Sequence, residues 1–345
     1  MPAPPEPPRP SEPAPGRWRV RLENMAAERP VRLAFYVFLV AAAVVVALSL
    51  PFYLDDLGGF LENLAAEAHG MVLDLLVIGW FIFWLQRQGE RRVRANRYRE
   101  EIEDFLGWRS HEAALRIAGN VRRLNRLGFE TPLKLTEAFL QGANLAGADL
   151  RQADLWGADL THAVLQGTRL DRANLAGARL QGAALARATL AEADLRGADL
   201  TEADLERAFL ERADFRAANL TAADLQFASL PGADLRHARC LGANLRGAHF
   251  EGADLRRAVF ESANLHGASL DRADLRGADF TRADLSRVDL TGARLPEGEA
   301  LLTLFDDARS LVDAKLDGAV EAVLRAAHPR LFGLAGTQEH TSAGT

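Results

Sequence analysis

The chain has 345 residues, a formal net charge of −6 and a single cysteine. That charge excludes a strongly basic nucleic-acid binder and a strongly acidic solvating chain. Cys240 alone excludes an intrachain disulfide and fits a reducing compartment.

Residues 1–28 read as a tail, with eight prolines and few apolar groups in 1–16, a composition that favours disorder. Residues 29–87 read as a transmembrane hairpin with spans at about 33–54 and 70–86. The first run is 22 residues without a charge, about 33 Å as a helix and enough to cross a bilayer. The second run, 70–85, is shorter and holds Asp74. That acid lies one turn inside the outer end, where it reaches the headgroup layer rather than marking an ion path. Arg17, Arg19, Arg21, Arg29 and Arg32 precede the first run, and Arg87, Arg91, Arg92, Arg94, Arg97 and Arg99 follow the second. The stretch between, 55–69, holds Asp55, Asp56, Glu62 and Glu67 and no Lys or Arg. The positive-inside rule then places both termini on the cytoplasmic side and 55–69 outside.

Residues 88–130 read as a cytoplasmic helical connector. A charge-dense stretch continues the second helix to about 107. Ser110 then caps a helix to about Leu127, with Gly128 as its stop. Ile117, Val121 and Leu124 share one face of it, able to cover the first layer of the next domain.

That domain, 131–297, repeats every five residues, with thirty-two units in 136–295. The fifth position, i, is Leu in 27 units, with Phe215, Cys240, Phe250, Phe260 and Phe280 the exceptions. Position i−2 is Ala in 30 units, with Thr168 and Val288 the exceptions. A helical turn takes about 3.6 residues, so leucines at a period of five would scatter around a helix and form no stripe. A tiny strand fits better, with i−2 and i inward, i−1 outward and a bend at the next two residues. One such unit cannot bury its own apolar pair, but stacked neighbours can. Cys240, Phe260 and Phe280 recur at twenty residues, as do Arg196, Arg216, Arg236, Arg256 and Arg276. Four units per coil give that spacing.

The A-(D/N)-L-x-x pattern, as in Ala-Asp-Leu-Arg-Gly, resembles the pentapeptide-repeat family from 136 to 295. The resemblance implies a mainly β fold: a right-handed, four-sided parallel β-helix of about eight coils. At about 4.8 Å per layer it stands about 38 Å tall. The 14 Asp and five Asn at i−1 are read as caps for backbone N–H groups at the bends. Residues 298–345 are expected to form a helical cap and a mobile tail. Around them 297–305 and 320–327 look helical, and Asp313-Ala314-Lys315-Leu316 resembles one more repeat.

No catalytic motif appears. P-loop, dinucleotide-binding and nucleophile-elbow patterns are absent, and the eight histidines lack metal-ligand spacing. No cofactor and no metal is expected, and the chain is read as no enzyme. The candidate interaction stripe is the arginine column with its partners two residues earlier: Asp194/Arg196, Asp214/Arg216, Asp234/Arg236, Asp254/Arg256 and Asp274/Arg276. Bare guanidinium groups at such spacing would repel by about 0.9 kcal/mol in water, so a mixed-sign salt ladder is favoured over a polyanion site.

The function expected is a scaffold at a bacterial inner membrane that presents its solenoid to an unknown cytoplasmic protein partner. Two alternatives stand beside it. Some family members mimic duplex DNA and engage type II topoisomerases, but here 23 acids and 19 arginines leave only −4 between 136 and 295. Nucleic acid is therefore disfavoured as a partner. A membrane sensor or channel component is the other. Beyond the lipid bilayer and a protein partner, self-association is left open.

Overall fold

The computed structural model describes residues 60–128 and 132–333, together with Ala43. Contacts divide the chain into two units, 1–97 and 98–345.

Helix α1, Phe60–Phe105, runs for 46 residues. It begins ten residues before the expected second span, so 60–69 are helical rather than loop. Among the described residues no helix is long and apolar enough to cross a membrane. The second expected span is corrected accordingly: 70–86 is one stretch of α1, and its apolar part ends at Leu85, before the arginines begin. That part is about 24 Å of helix against a core of about 30 Å. The first expected span, 33–54, lies outside the described residues.

Helix α2, His111–Arg126, starts where its cap predicts: Ser110 accepts a hydrogen bond from Ala113 N at 3.2 Å. Gly128 closes it with φ +73°. The face expected to cover the solenoid does so, with Ile117, Val121 and Leu124 all buried. Asn125 supplies the join. Its side-chain amide donates to Asp149 O at 3.0 Å and accepts from Asp149 N at 2.7 Å. It thus takes the hydrogen bonds that a preceding coil would otherwise make.

From residue 134 the chain is a four-sided parallel solenoid. Each bridge links residues twenty apart, from Lys134↔Asp154 to Asp274↔Arg294, so one coil is four units. Runs of strand do not form, which corrects the expected tiny strands. Each unit makes one isolated bridge at i−1, because a turn occupies the rest. At i+2 the backbone is left-handed in every unit: φ is +53° to +60° at eighteen non-glycine residues and +60° to +75° at fourteen glycines.

All five backbone N–H groups of the unit that holds Asp194 are satisfied. Around Leu195, Asp194 N donates down to Ala173 O, Leu195 N up to Asp214 O, and Gly197 N up to Arg216 O. Ala198 N closes the turn on Leu195 O. Arg196 N, left over, donates to Asp194 Oδ1 at 3.1 Å. Asp and Asn at i−1 therefore complete the backbone, as Asp199, Asp204, Asn219 and Asp284 also do.

The inward columns are dry. Leu140 through Leu290 and the intervening alanines are almost wholly buried, each Leu contributing about 1.5–3 kcal/mol against exposure. Thr168, the polar exception, is fully buried and donates its hydroxyl to Leu145 O at 2.9 Å. The Phe260 and Phe280 rings stack at 5.3 Å, and Phe305 continues the pile at 5.8 Å.

The far end adds a partial ninth coil. After helix α3, Glu299–Leu304, Ser310 and Lys315 bridge back to Asp284 and Asp289. Asp313, Ala314, Lys315 and Leu316 take the places of a repeat unit, with Asp313 at φ +57°. Helix α4, Gly318–Ala327, and a 3₁₀ turn, Pro329–Phe332, close the end, burying Leu311, Leu324 and Leu331.

Candidate functional site

The bridge residues define four walls. Wall one carries Asp154, Asn174 and the aspartates 194 to 274, wall two Asp159 to Asp279, wall three Asn144 to Asp284, and wall four Asp149 to Asp289.

On wall one the predicted ten residues come together as one ladder. Each arginine forks onto the aspartate of its own unit. Arg196 donates Nε and Nη2 to Asp194 at 2.8 and 2.6 Å, and Arg256 to Asp254 at 2.8 and 2.6 Å. Arg216, Arg236 and Arg276 repeat this on Asp214, Asp234 and Asp274. The same arginines reach the next coil: Arg196 to Asp214, Arg216 to Asp234, Arg236 to Asp254 and Arg256 to Asp274, at 3.6–3.8 Å. Each of these four guanidinium groups thus sits between two carboxylates, which offsets the repulsion within the column.

The electrostatics agree. Hydrogen bonds from Arg196 hold the Asp194 carboxyl below the usual aspartate range, and Arg256 and Arg276 do the same to Asp254 and Asp274. The arginines shift the other way for the same reason. Beside the ladder lies a groove of about 460 Å³ lined by Arg236, His237, Arg256, Arg257, Arg276 and Gly277. Trp156 stands exposed on the same wall nearer the amino-terminal end.

Cys240 is fully buried, and burial pushes its thiol up to about 12, so it is no nucleophile at neutral pH. Among the described residues no group of His, Cys, Asp and Glu is placed to hold a metal ion. Asp74 is exposed on α1.

Wall four holds what the sequence reading missed. Its bridge column from 169 to 269 reads Arg169, Thr189, Phe209, Ser229, His249 and Ser269, with no Asp or Asn. Phe209 is 55% exposed, and Phe227, at the adjoining corner, is 46% exposed. The available signal was the loss of the capping residue at every fourth unit.

Comparison with known proteins finds the same five-residue repeat. The family model described as pentapeptide repeats matches in 8 copies between residues 134 and 295. The chain is similar to HetL, a pentapeptide repeat protein involved in heterocyst differentiation regulation from the cyanobacterium Nostoc sp. strain PCC 7120. Identity is 33%, covering 58% of this chain and 94% of HetL, with a TM-score of 0.36. It is also similar to a pentapeptide repeat protein of the Arabidopsis thaliana thylakoid lumen, at 26% identity over 38% and 88% of the two chains, TM-score 0.28. QnrB1, a plasmid-mediated fluoroquinolone resistance protein, shares 21% identity over 56% and 91%, TM-score 0.32. At such TM-scores the superpositions add nothing about shape, and kinship rests on the repeat match and on the sequence identity with HetL. No curated protein is similar enough to count as a relative.

Proposed function

We propose a function from one premise: this chain belongs to the pentapeptide-repeat family, whose fold is the right-handed quadrilateral β-helix. The chain acts as a non-enzymatic scaffold that presents the walls of its solenoid to a protein partner. One observation carries this reading: the inward columns are almost fully buried, so chemistry is confined to flat outer walls. A wall of side chains repeated coil by coil suits recognition rather than turnover.

Attachment to a bilayer is the finer part of the proposal. Run 33–54 has the length and composition of a span. On α1, Val77, Trp80, Phe81, Phe83 and Trp84 are 45–66% exposed, an apolar girdle that lipid or an accompanying helix would cover. The arginines that follow residue 86 favour a bacterial inner membrane with the solenoid in the cytoplasm.

Chemical crosslinking of the full chain in cells, followed by identification of its neighbours, tests the scaffold. A defined protein neighbour is expected; recovery of none overturns it. Alkaline carbonate extraction tests the attachment. The chain is expected to stay with the membrane pellet, and release into the supernatant refutes a spanning anchor.

A further inference from the structure

We propose that the stretch of α1 from Trp80 to Arg97 is a binding site for anionic phospholipid: its tryptophans lie at the acyl boundary and its arginines hold headgroup phosphates. The proposal rests on the attachment reading and names the lipid.

Charge on α1 is sorted along the helix. From 75 to 86 there is none. From 87 to 99 come Arg87, Arg91, Arg92, Arg94, Arg97 and Arg99 against Glu90 alone, a net charge of +5. Only then come the acids, Glu100, Glu101, Glu103 and Asp104, with no base among them. A helix that neutralised itself would set its acids three or four residues from each arginine. Here Glu90 serves Arg94 alone, at 3.9 Å, and Glu101 is taken by Arg116 of α2 at 3.5 Å. Helix α2 does not cancel the excess, since it carries Arg116, Arg122, Arg123 and Arg126 against Glu112. Its Arg123 lies over the Tyr98 ring at 5.7 Å. Among the described residues, Arg87, Arg91, Arg92 and Arg97 make no hydrogen bond or ion pair.

Position and spread select the ligand. Trp80 and Trp84 stand one turn apart, and an indole with an apolar body and one N–H suits the boundary between acyl chains and headgroups. Arg87 follows Trp84 by about 4.5 Å of helix. Arg87, Arg91 and Arg92 fall within about 8 Å along the axis, the depth of one headgroup layer. Arg94 and Arg97 follow within about one Debye length. At about 100° per residue these five arginines cover about 220° of the circumference. An accompanying helix touches one side and leaves the other guanidinium groups unmatched. Lipids surround a helix and bring a phosphate to each fork. Nucleic acid offers the same phosphates but no acyl chains for Trp80, Phe81, Phe83 and Trp84, whose exposed rings adjoin the arginines.

The test uses the full chain in vesicles, with Trp18, Trp108 and Trp156 replaced by Phe so that Trp80 and Trp84 alone report. Bromine on an acyl chain quenches the indole it touches. The vesicles hold one mixture of phosphatidylglycerol and phosphatidylcholine, and the bromine is carried by one or the other at equal mole fraction. Phosphatidylglycerol should quench at least about threefold more effectively, and the preference should vanish in about 1 M salt. Arg87→Gln, Arg91→Gln, Arg92→Gln and Arg97→Gln together should make the two lipids equal, while helical circular dichroism holds. Equal quenching in the parent, or a preference that survives the four substitutions, overturns the arginine site and leaves the attachment standing. Quenching by neither lipid with the chain in the vesicle pellet also overturns it and gives the girdle to a protein neighbour. Release of the chain to the supernatant removes the attachment as well.

Discussion

Ala217 and Ala222 hold φ +57° and +55°, where an L residue is strained and glycine is not. Replacing either with Gly should stabilise the chain by about 0.5–1 kcal/mol, the relieved strain exceeding the added freedom of the unfolded chain. Gly182→Ala is the converse: its Cβ would fall 2.4 Å from His162 Nδ1, so a loss above about 1 kcal/mol is expected by thermal denaturation. Titration behaves as the ladder dictates. Asp194, Asp254 and Asp274 have depressed folded-state values, so their contribution is complete above the unfolded value of about 3.9. It is lost as pH falls through the lower folded values. Tm followed by circular dichroism should show no change from these groups between about pH 5 and 8. It should decline below about pH 4, and only modestly, because the paired arginines are exposed. The role of Asp and Asn at i−1 was legible from composition, since few other side chains are short acceptors. Which non-glycine residues would tolerate a left-handed backbone was not, because the coil spacing imposes that conformation regardless of the residue.

At the level of elements the two caps differ in kind. At the amino-terminal side a helix substitutes for a coil through one side chain, Asn125, which makes two hydrogen bonds to the backbone of Asp149. Asn125→Leu should lose both and leave the Asp149 N–H without a partner, destabilising the chain by about 1–3 kcal/mol in urea unfolding. At the carboxy-terminal side the solenoid continues in imperfect form and Phe305 closes the aromatic stack. The α2 face was readable from helical periodicity and the stray repeat from its motif. The bridging of Ser310 to Asp284 was not, because α3 displaces the register and hides the relation from a five-residue count. The apolar run of α1 was readable as hydrophobic, but where its helix begins was not: Phe60 opens it inside a stretch whose acids had marked it as a loop.

For the solenoid taken whole, neighbouring coils carry the stability, so twenty residues are an interchangeable length. Deleting residues 196–215 should leave a folded chain with its columns in register. Deleting 196–200 should also fold, but it turns every later unit onto the next wall and parts Asp194 from the rungs 214 to 276, which stay stacked on one another. The acid-range decline in Tm should survive in both variants, because Asp254 and Asp274 keep the arginines of their own units. Both variants should keep the circular dichroism signal of the parent, since either deletion preserves the inward Ala and Leu.

The repeat of Ala and Leu determined by itself that the core is a stack of four-unit coils, because small and large apolar residues at a period of five have no other way to leave water together. Only the tertiary structure decided which outward residues become neighbours. A residue and the one twenty places on share a wall, and that adjacency joined ten charges into a ladder on one side. On the neighbouring wall it set Phe209 against Ser229, a relation invisible along the chain because they stand twenty residues apart.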